Sequence, residues 1–177
     1  MTDPLTGLFN RRYALPRIAE IAQDAMRQDH SFALLALDLD HFKAVNDHHG
    51  HAAGDAVLCD IARRLETVVA DRGLTARLGG EEFLVILPNS CESDAYRMAE
   101  EIRRAVAMRS TLLPRLSGGG MVSVTLSIGV AIATAPGDRT APETFAELSL
   151  ERADRALIAA KTRGRNRVIL APAEVAI

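Results

Sequence analysis

The chain has 177 residues, of which 48% are hydrophobic and 25% are charged, so it can build a folded core and is not typical of a disordered protein. Its 21 lysines and arginines nearly balance its 23 aspartates and glutamates, and the resulting net charge of −2 argues against a dedicated nucleic-acid-binding protein. No apolar run is long enough to span a membrane, and no signal-peptide pattern opens the chain. The two cysteines make no disulfide framework, so we expect one cytoplasmic domain over residues 1–177.

Helical and extended patterns alternate along the chain. Hydrophobic periodicity predicts helices at about 10–29, 53–71, 92–108 and 144–163, the last of them stopped by Gly164. Apolar runs predict strands at 31–40, 74–78, 83–87, 122–133 and 167–170, with a loop over 110–121.

The tight turn Gly79-Gly80-Glu81-Glu82 predicts an antiparallel hairpin, which contradicts an α/β fold with a wholly parallel sheet. After the first helix, the elements follow the order β-α-β-β-α-β. We therefore predict an α+β, ferredoxin-like (palm-type) sandwich around a central, mostly antiparallel sheet.

Four acidic residues lie beside apolar strands, where charge is costly. Asp38 and Asp40 lie two apart at the end of a predicted strand and so point to the same side of the sheet. If the Glu81-Glu82 hairpin pairs beside that strand, the carboxylates converge, and two like charges about 4 Å apart repel by about 4 kcal/mol. Protons or a hard cation must then neutralise them, and oxygen-only ligands favour Mg²⁺ or Mn²⁺ over Zn²⁺. Solvated turn acids with no common task are the alternative, and the pattern alone favours neither.

The segment Gly79-Gly80-Glu81-Glu82-Phe83 resembles the GGDEF signature of diguanylate cyclases in its GGEEF form. Further blocks resemble the same family, in order along nearly the whole chain: Asp3–Arg12, Asp38–Asp47, Gly50-His51, Gly54-Asp55, Ser127–Ala131, Ala153–Leu157, Lys161 and Gly164–Asn166. The resemblance implies a palm-like catalytic domain that condenses two GTP molecules into cyclic di-GMP with release of pyrophosphate.

The resemblance also implies how the reaction is catalysed. Asp38 and Glu81 correspond to metal ligands, the carbonyl of Leu39 to a backbone ligand, and Glu82 to either a further ligand or the proton acceptor. Two Mg²⁺ or Mn²⁺ ions per active half-site would lower the pKa of the attacking 3′-hydroxyl and shield the phosphate charge. Asp40 is expected to lie outside the metal ligands. Each domain binds one GTP, so catalysis is expected to need a homodimer.

Asn46 and Asp55 correspond to the family's guanine contacts. A carboxylate can accept hydrogen bonds from the adjacent N1–H and N2–H₂ donors of guanine, which adenine does not present. Without the resemblance, helix capping is the better interpretation of both residues, because acidic residues are common near helix starts.

Three basic residues, Lys43, Lys161 and Arg165, correspond to positions that hold the triphosphate. By themselves, Lys161 and Arg165 also fit a solvated face that complements a helix dipole. Gly79 and Gly80 lack Cβ atoms, so the turn can adopt positive φ and let a nucleotide approach.

One departure from the family pattern concerns feedback. Ala70 and Gly73 stand where many members carry the arginine and aspartate of an inhibitory Arg-x-x-Asp site, so we expect no high-affinity inhibition by cyclic di-GMP through that surface. The retained guanine contacts allow product to bind at the active half-site. A different interpretation is a GTP- or cyclic di-GMP-binding regulatory module that is catalytically weak. The chain is expected to be a fragment of a longer signalling protein.

Overall fold

The computed structural model describes residues 1–136 and 140–173. Within these ranges the helices are α1 (Arg11–Gln28), α2 (Phe42–His49), α3 (His51–Val69), α4 (Glu92–Ala107) and α5 (Pro142–Thr162). The strands are β1 (Phe9–Asn10), β2 (Ser31–Leu39), β3 (Leu74–Gly79), β4 (Glu82–Leu87), β5 (Thr111–Leu112), β6 (Met121–Val122), β7 (Leu126–Thr134) and β8 (Val168–Leu170).

Six strands form the main sheet in the order β1-β3-β4-β2-β7-β8. The central pairs β3–β4, β4–β2 and β2–β7 are antiparallel, whereas the outer strands β1 and β8 pair in parallel with their neighbours. The central order β3-β4-β2-β7 is that of a ferredoxin-like fold. The predicted α+β class and mostly antiparallel sheet are therefore confirmed.

Strand β2 is buried on both faces, and the alternation of its side chains assigns each to one of two cores. Ala33, Leu35, Leu37 and Leu39 pack in the core with α3 and α4. Phe32, Leu34 and Ala36 pack in the core with α1 and α5. Asp38 continues the second series, so the strand directs it towards α1 and α5.

Helix α5 packs very close to strand β7. A Cβ atom on Gly129 of β7 would lie 2.2 Å from both the carbonyl oxygen of Ala153 and the backbone nitrogen of Leu157. Only a glycine allows this approach without moving the helix. The contact fixes the position of α5 one turn before Lys161.

Three predicted boundaries were wrong. The helix predicted at 53–71 begins at His51 as α3 and is preceded by a separate helix α2, because Gly50 turns the chain with φ of 83°. The loop predicted over 110–121 contains the strand pair β5–β6 around its glycine-rich turn. The strand predicted at 122–133 begins only at Leu126, after residues 123–125 have left the hairpin.

No helix in the part of the chain that the structure describes is both long enough and apolar enough to cross a membrane.

Candidate active site

The end of β2 lies beside the signature turn. Asp38 is opposite Glu82 in the antiparallel register of β2 and β4. The backbone N–H of Leu39 donates to the carbonyl oxygen of Glu81 at 3.3 Å. Strand pairing therefore brings the backbone of three acidic residues, Asp38, Glu81 and Glu82, to one rim of the sheet.

The carboxylate of Asp38 is almost completely buried and is paired with Lys161, whose Nζ lies 2.9 Å from Oδ2. Burial raises the pKa of Asp38; the hydrogen bond and charge of Lys161 oppose the rise, and the negative charges of Glu81 and Glu82 add to it. This rim therefore destabilises the Asp38 anion even with the ammonium group of Lys161 beside it.

A groove of about 320 Å³ opens in front of Asp38, between α1 and α5. Lys161, Arg11 and Asp154 line it together with the apolar Leu157 and Phe83. Partial loss of hydration and the charge of Glu82 raise the pKa of Asp154, and Arg11 opposes the rise. Neither Arg11 nor Asp154 has a role predicted from the sequence, although both lie in blocks that resemble the family.

The signature turn depends on its glycines and on one arginine. Gly79 and Gly80 have φ values of 147° and 51°, which disfavour any residue with a Cβ. Arg77 donates from Nε to the carbonyl oxygen of Gly80 at 2.9 Å and from Nη1 to Oδ1 of Asp3 at 3.0 Å. The opening segment of the chain thus holds the turn that carries Glu81.

Asp3 is itself fixed by Thr6, whose backbone N–H and hydroxyl both donate to its Oδ1, at 2.9 and 2.7 Å. Burial pushes the pKa of Asp3 upwards, but the hydrogen bonds from Thr6 and the contact with Arg77 outweigh it, so the pKa is lowered. Asp3 is therefore a stable anionic anchor for Arg77.

Asp40 has a different environment from Asp38. It accepts hydrogen bonds from the hydroxyls of Thr125 and Ser127, both at 2.6 Å, and from the backbone N–H of Asn166 at 3.0 Å. Three donors satisfy this buried carboxylate, and the third holds the loop after α5. Arg165 lies in that loop with φ of 63° and is exposed.

The corner between α2 and α3 contains Asn46 and Asp55. A Cβ atom on Gly54 would lie 1.9 Å from Oδ1 of Asn46, so the side chain of Asn46 packs directly on the first turn of α3, next to Asp55. Asp55 is not the N-cap of α3: the N-cap is Gly50, and no side chain caps this helix. Lys43 lies exposed in the first turn of α2.

The predicted carboxylate cluster forms only in part. Within residues 1–136 and 140–173, no group of three or more His, Cys, Asp or Glu side chains is arranged to hold a metal ion. Asp38 contacts Lys161 instead of the two glutamates. The donors nevertheless fit Mg²⁺ or Mn²⁺, because Asp38, Glu81 and Glu82 present only hard carboxylate oxygens at a rim that destabilises the Asp38 anion.

Comparisons with known proteins agree with this fold. The family model "Diguanylate cyclase, GGDEF domain" matches residues 1–167. The chain is 41% identical over 171 residues to diguanylate cyclase DgcM of Escherichia coli K12, covering 96% of this chain and 38% of the relative. It is 40% identical over 169 residues to the response regulator PleD of Caulobacter vibrioides strain NA1000, covering 96% and 36%.

A solved structure gives the same result. The GGDEF domain of DgcB from Caulobacter crescentus, in complex with c-di-GMP, matches with a TM-score of 0.86 and 37% identity, covering 97% of this chain and 93% of that one. By contrast, the chain spans little more than a third of the length of the two curated relatives. A family match over residues 1–167, together with the signature turn at the rim of this sheet, shows that the chain belongs to the GGDEF domain family.

Proposed function

We propose that this domain is a diguanylate cyclase, which condenses two GTP molecules into cyclic di-GMP. The observation that carries the proposal is the rim itself, where strand pairing brings Asp38 to the glycine turn with Glu81 and Glu82, and Lys161 faces Asp38. The names of the relatives support the reaction class, since DgcM is a diguanylate cyclase.

In each half-reaction the 3′-oxygen of one GTP attacks the α-phosphorus of the other. A bond from O3′ to phosphorus forms, the bond to the pyrophosphate oxygen breaks, and the 3′-hydroxyl loses its proton. Two such steps release two pyrophosphates for each cyclic di-GMP. Glu82 is exposed at the rim, where it can accept that proton or hold a cation.

Asp38, Glu81 and the carbonyl of Leu39 are the proposed ligands of two Mg²⁺ or Mn²⁺ ions in each half-site. When bound, these ions would lower the pKa of the attacking 3′-hydroxyl and shield the charge of the phosphate. With a cation at Asp38, Lys161 would no longer be needed as the counter-charge of that carboxylate, and its ammonium group would be available to a phosphate.

Asn46 and Asp55 are proposed to bind the guanine base from the α2–α3 corner. Asp55 is free for this role because it neither caps α3 nor makes a side-chain hydrogen bond within the described residues. Lys43 and Arg165 are proposed to join Lys161 in binding the triphosphate. The backbone next to Arg165 is held because Asp40 accepts a hydrogen bond from the N–H of the next residue, Asn166.

Each domain is proposed to bind one GTP, so two domains must meet across a two-fold axis for reaction. The rate per protein molecule should then rise with protein concentration wherever dimers are scarce. A rate per molecule that is constant over a wide concentration range, with a monomeric mass, would contradict this part of the proposal.

Feedback through an Arg-x-x-Asp site is proposed to be absent. Besides the loss of both charges, Gly73 has no space for a side chain, since its Cβ would lie 2.4 Å from the carbonyl oxygen of Ile86. Restoring an aspartate there would move β4. We therefore expect cyclic di-GMP to compete with GTP only at the guanine half-site, and a fall in kcat at saturating GTP would contradict this.

Incubation with GTP and Mg²⁺, followed by chromatography, tests the proposal. The expected products are cyclic di-GMP and two equivalents of pyrophosphate. If calorimetry instead shows tight binding of GTP or cyclic di-GMP with no turnover at any protein concentration, the chain is a regulatory binding module and the cyclase proposal is wrong.

A further inference from the structure

The hairpin β5–β6 has an apolar outer face. Thr111 lies opposite Val122 and Leu112 opposite Met121. The first pair faces inwards: Thr111 is 2% exposed and donates to Oδ2 of Asp60 at 2.7 Å. The second pair faces outwards: Leu112 is 75% exposed and Met121 is 68% exposed. The solvent-facing side of an antiparallel strand pair is ordinarily polar.

Further apolar side chains extend this surface. Leu116, at the turn of the hairpin, is fully exposed, and Met108, just before it, is 84% exposed. Of the eight large hydrophobic side chains that are exposed in the described residues, four therefore lie within 108–121. Exposed apolar side chains that are concentrated in one segment are typical of a binding surface, whereas single ones are ordinary.

The same segment is basic. No aspartate or glutamate occurs between Glu101 and Asp138, whereas the chain as a whole has a net charge of −2. Arg109 and Arg115 are exposed and lie between the apolar residues in sequence, and neither makes an ion pair within the described residues. Arg104, one helical turn before Met108, adds a third cation, although it is 3.4 Å from Glu100.

We propose that this surface, which we call the 108–121 surface, docks on a phospholipid bilayer that contains anionic lipids. The arginines complement the headgroup phosphates, and Leu112, Leu116 and Met121 enter the interface beside them. A fully exposed leucine at a hairpin turn is convex, and a bilayer can receive a convex apolar tip without a preformed groove. Because the contact area is small, binding is expected to be weak and dependent on salt.

Vesicle sedimentation with the whole chain tests the proposal. Vesicles of phosphatidylcholine alone are compared with vesicles that contain about 30% phosphatidylglycerol. We expect binding only to the anionic vesicles. The variants Arg109→Gln and Arg115→Gln each remove one positive charge. Each should lower the partition coefficient about fivefold, which is equivalent to about 1 kcal/mol per basic residue.

The triple variant Leu112→Ser/Leu116→Ser/Met121→Ser separates insertion from simple charge attraction. It should lose at least tenfold in partitioning while its thermal unfolding is unchanged, because all three side chains are exposed. Leu148→Ser and Arg155→Gln, exposed on α5, are the matched controls and should bind like the wild type.

Three outcomes would overturn the proposal. The first is an absence of binding to anionic vesicles at low salt. The second is unchanged binding by the triple serine variant. The third is binding to a soluble acidic polypeptide such as polyglutamate, but not to vesicles, which would assign the surface to an acidic protein partner instead.

Discussion

Asp38 and Asp40 lie two residues apart at the same end of β2, and both are buried, yet their surroundings differ in kind. Asp40 is satisfied by three neutral donors from Thr125, Ser127 and Asn166. Within the described residues Asp38 has one ion-pair partner, the ammonium group of Lys161, and it faces two further carboxylates and an open groove.

The difference separates a structural carboxylate from a reactive one. The neutral donors at the start of β7 and in the loop after α5 satisfy the carboxylate oxygens of Asp40 and join three segments. Asp38 is left under-neutralised at a groove, and such an arrangement costs stability unless a ligand brings positive charge. Substitutions at the two aspartates and their neighbours test this difference.

The largest expected effect is a loss of activity when the signature turn beside Asp38 is changed. Glu81→Gln removes a proposed cation ligand without changing the size of the side chain, so kcat should fall roughly a hundred- to a thousandfold. Rates of pyrophosphate release measure it. Glu66→Gln, exposed on α3, is the matched control and should keep wild-type activity. A Glu81→Gln protein with normal kcat would mean that the turn is not part of the catalytic site.

The next largest expected effect is a loss of stability when Asp40 is changed. Asp40→Asn replaces one acceptor oxygen by an NH₂ group that faces donors, so the free energy of unfolding should fall by about 3 kcal/mol. For a domain of this size the melting temperature should fall by about 6–12 °C. Calorimetry measures this, with Asp24→Asn on the exposed face of α1 as the control. An unchanged melting temperature would mean that Asp40 does not hold the loop.

A smaller effect is expected where the opening segment meets the turn. Arg77→Met keeps the apolar length of the side chain but removes the bonds to Gly80 and Asp3, so the turn should lose its fixed position. We expect kcat to fall roughly tenfold with little change in KM for GTP. A change confined to KM would instead assign Arg77 to substrate binding. Arg97→Met, exposed on α4, is the control.

The smallest effect is on the pH dependence of stability. The raised pKa of Asp38 means that the folded protein keeps this proton when the unfolded chain has lost it. Wild-type stability should therefore fall as pH rises from the ordinary aspartate pKa to the raised value, and Asp38→Asn should remove this fall. Denaturant unfolding between about pH 3 and pH 7 measures the difference.

Asp3 gives the control of opposite sign. Its pKa is lowered, so its contribution to stability is present above the ordinary aspartate pKa and is lost as pH falls through the lowered value. Asp3→Asn should therefore lose stability relative to the wild type at neutral pH and match it in acid. If Asp38→Asn and Asp3→Asn changed the pH dependence of stability in the same direction, the environments of the two aspartates would not differ as described.

Much of the fold could be predicted because apolar periodicity is local information. Helix α1 was predicted to within one residue at each end, where Asn10 caps its start and Asp29 ends it with positive φ. The strands β5 and β6 could not be predicted, since two residues carry no period. Helix α2 was not predicted, because its eight residues cover little more than two helical turns and show too short a period.

The candidate site divides in the same way. The position of Asp38 beside the turn follows from the strand pattern, and its proposed role came from the resemblance. The Asp3–Arg77 contact joins residues 74 apart, and Arg11 meets Asp154 only because α1 packs on α5. Hydrophobic periodicity carries no information on such contacts, because they depend on tertiary packing.

The most direct test measures activity and stability of Asp38→Asn in one preparation. If Asp38 is an under-neutralised carboxylate kept for the reaction, cyclic di-GMP synthesis should be lost while the melting temperature stays the same or rises. A variant that still makes cyclic di-GMP, or that melts as early as Asp40→Asn, would contradict the division between the two aspartates.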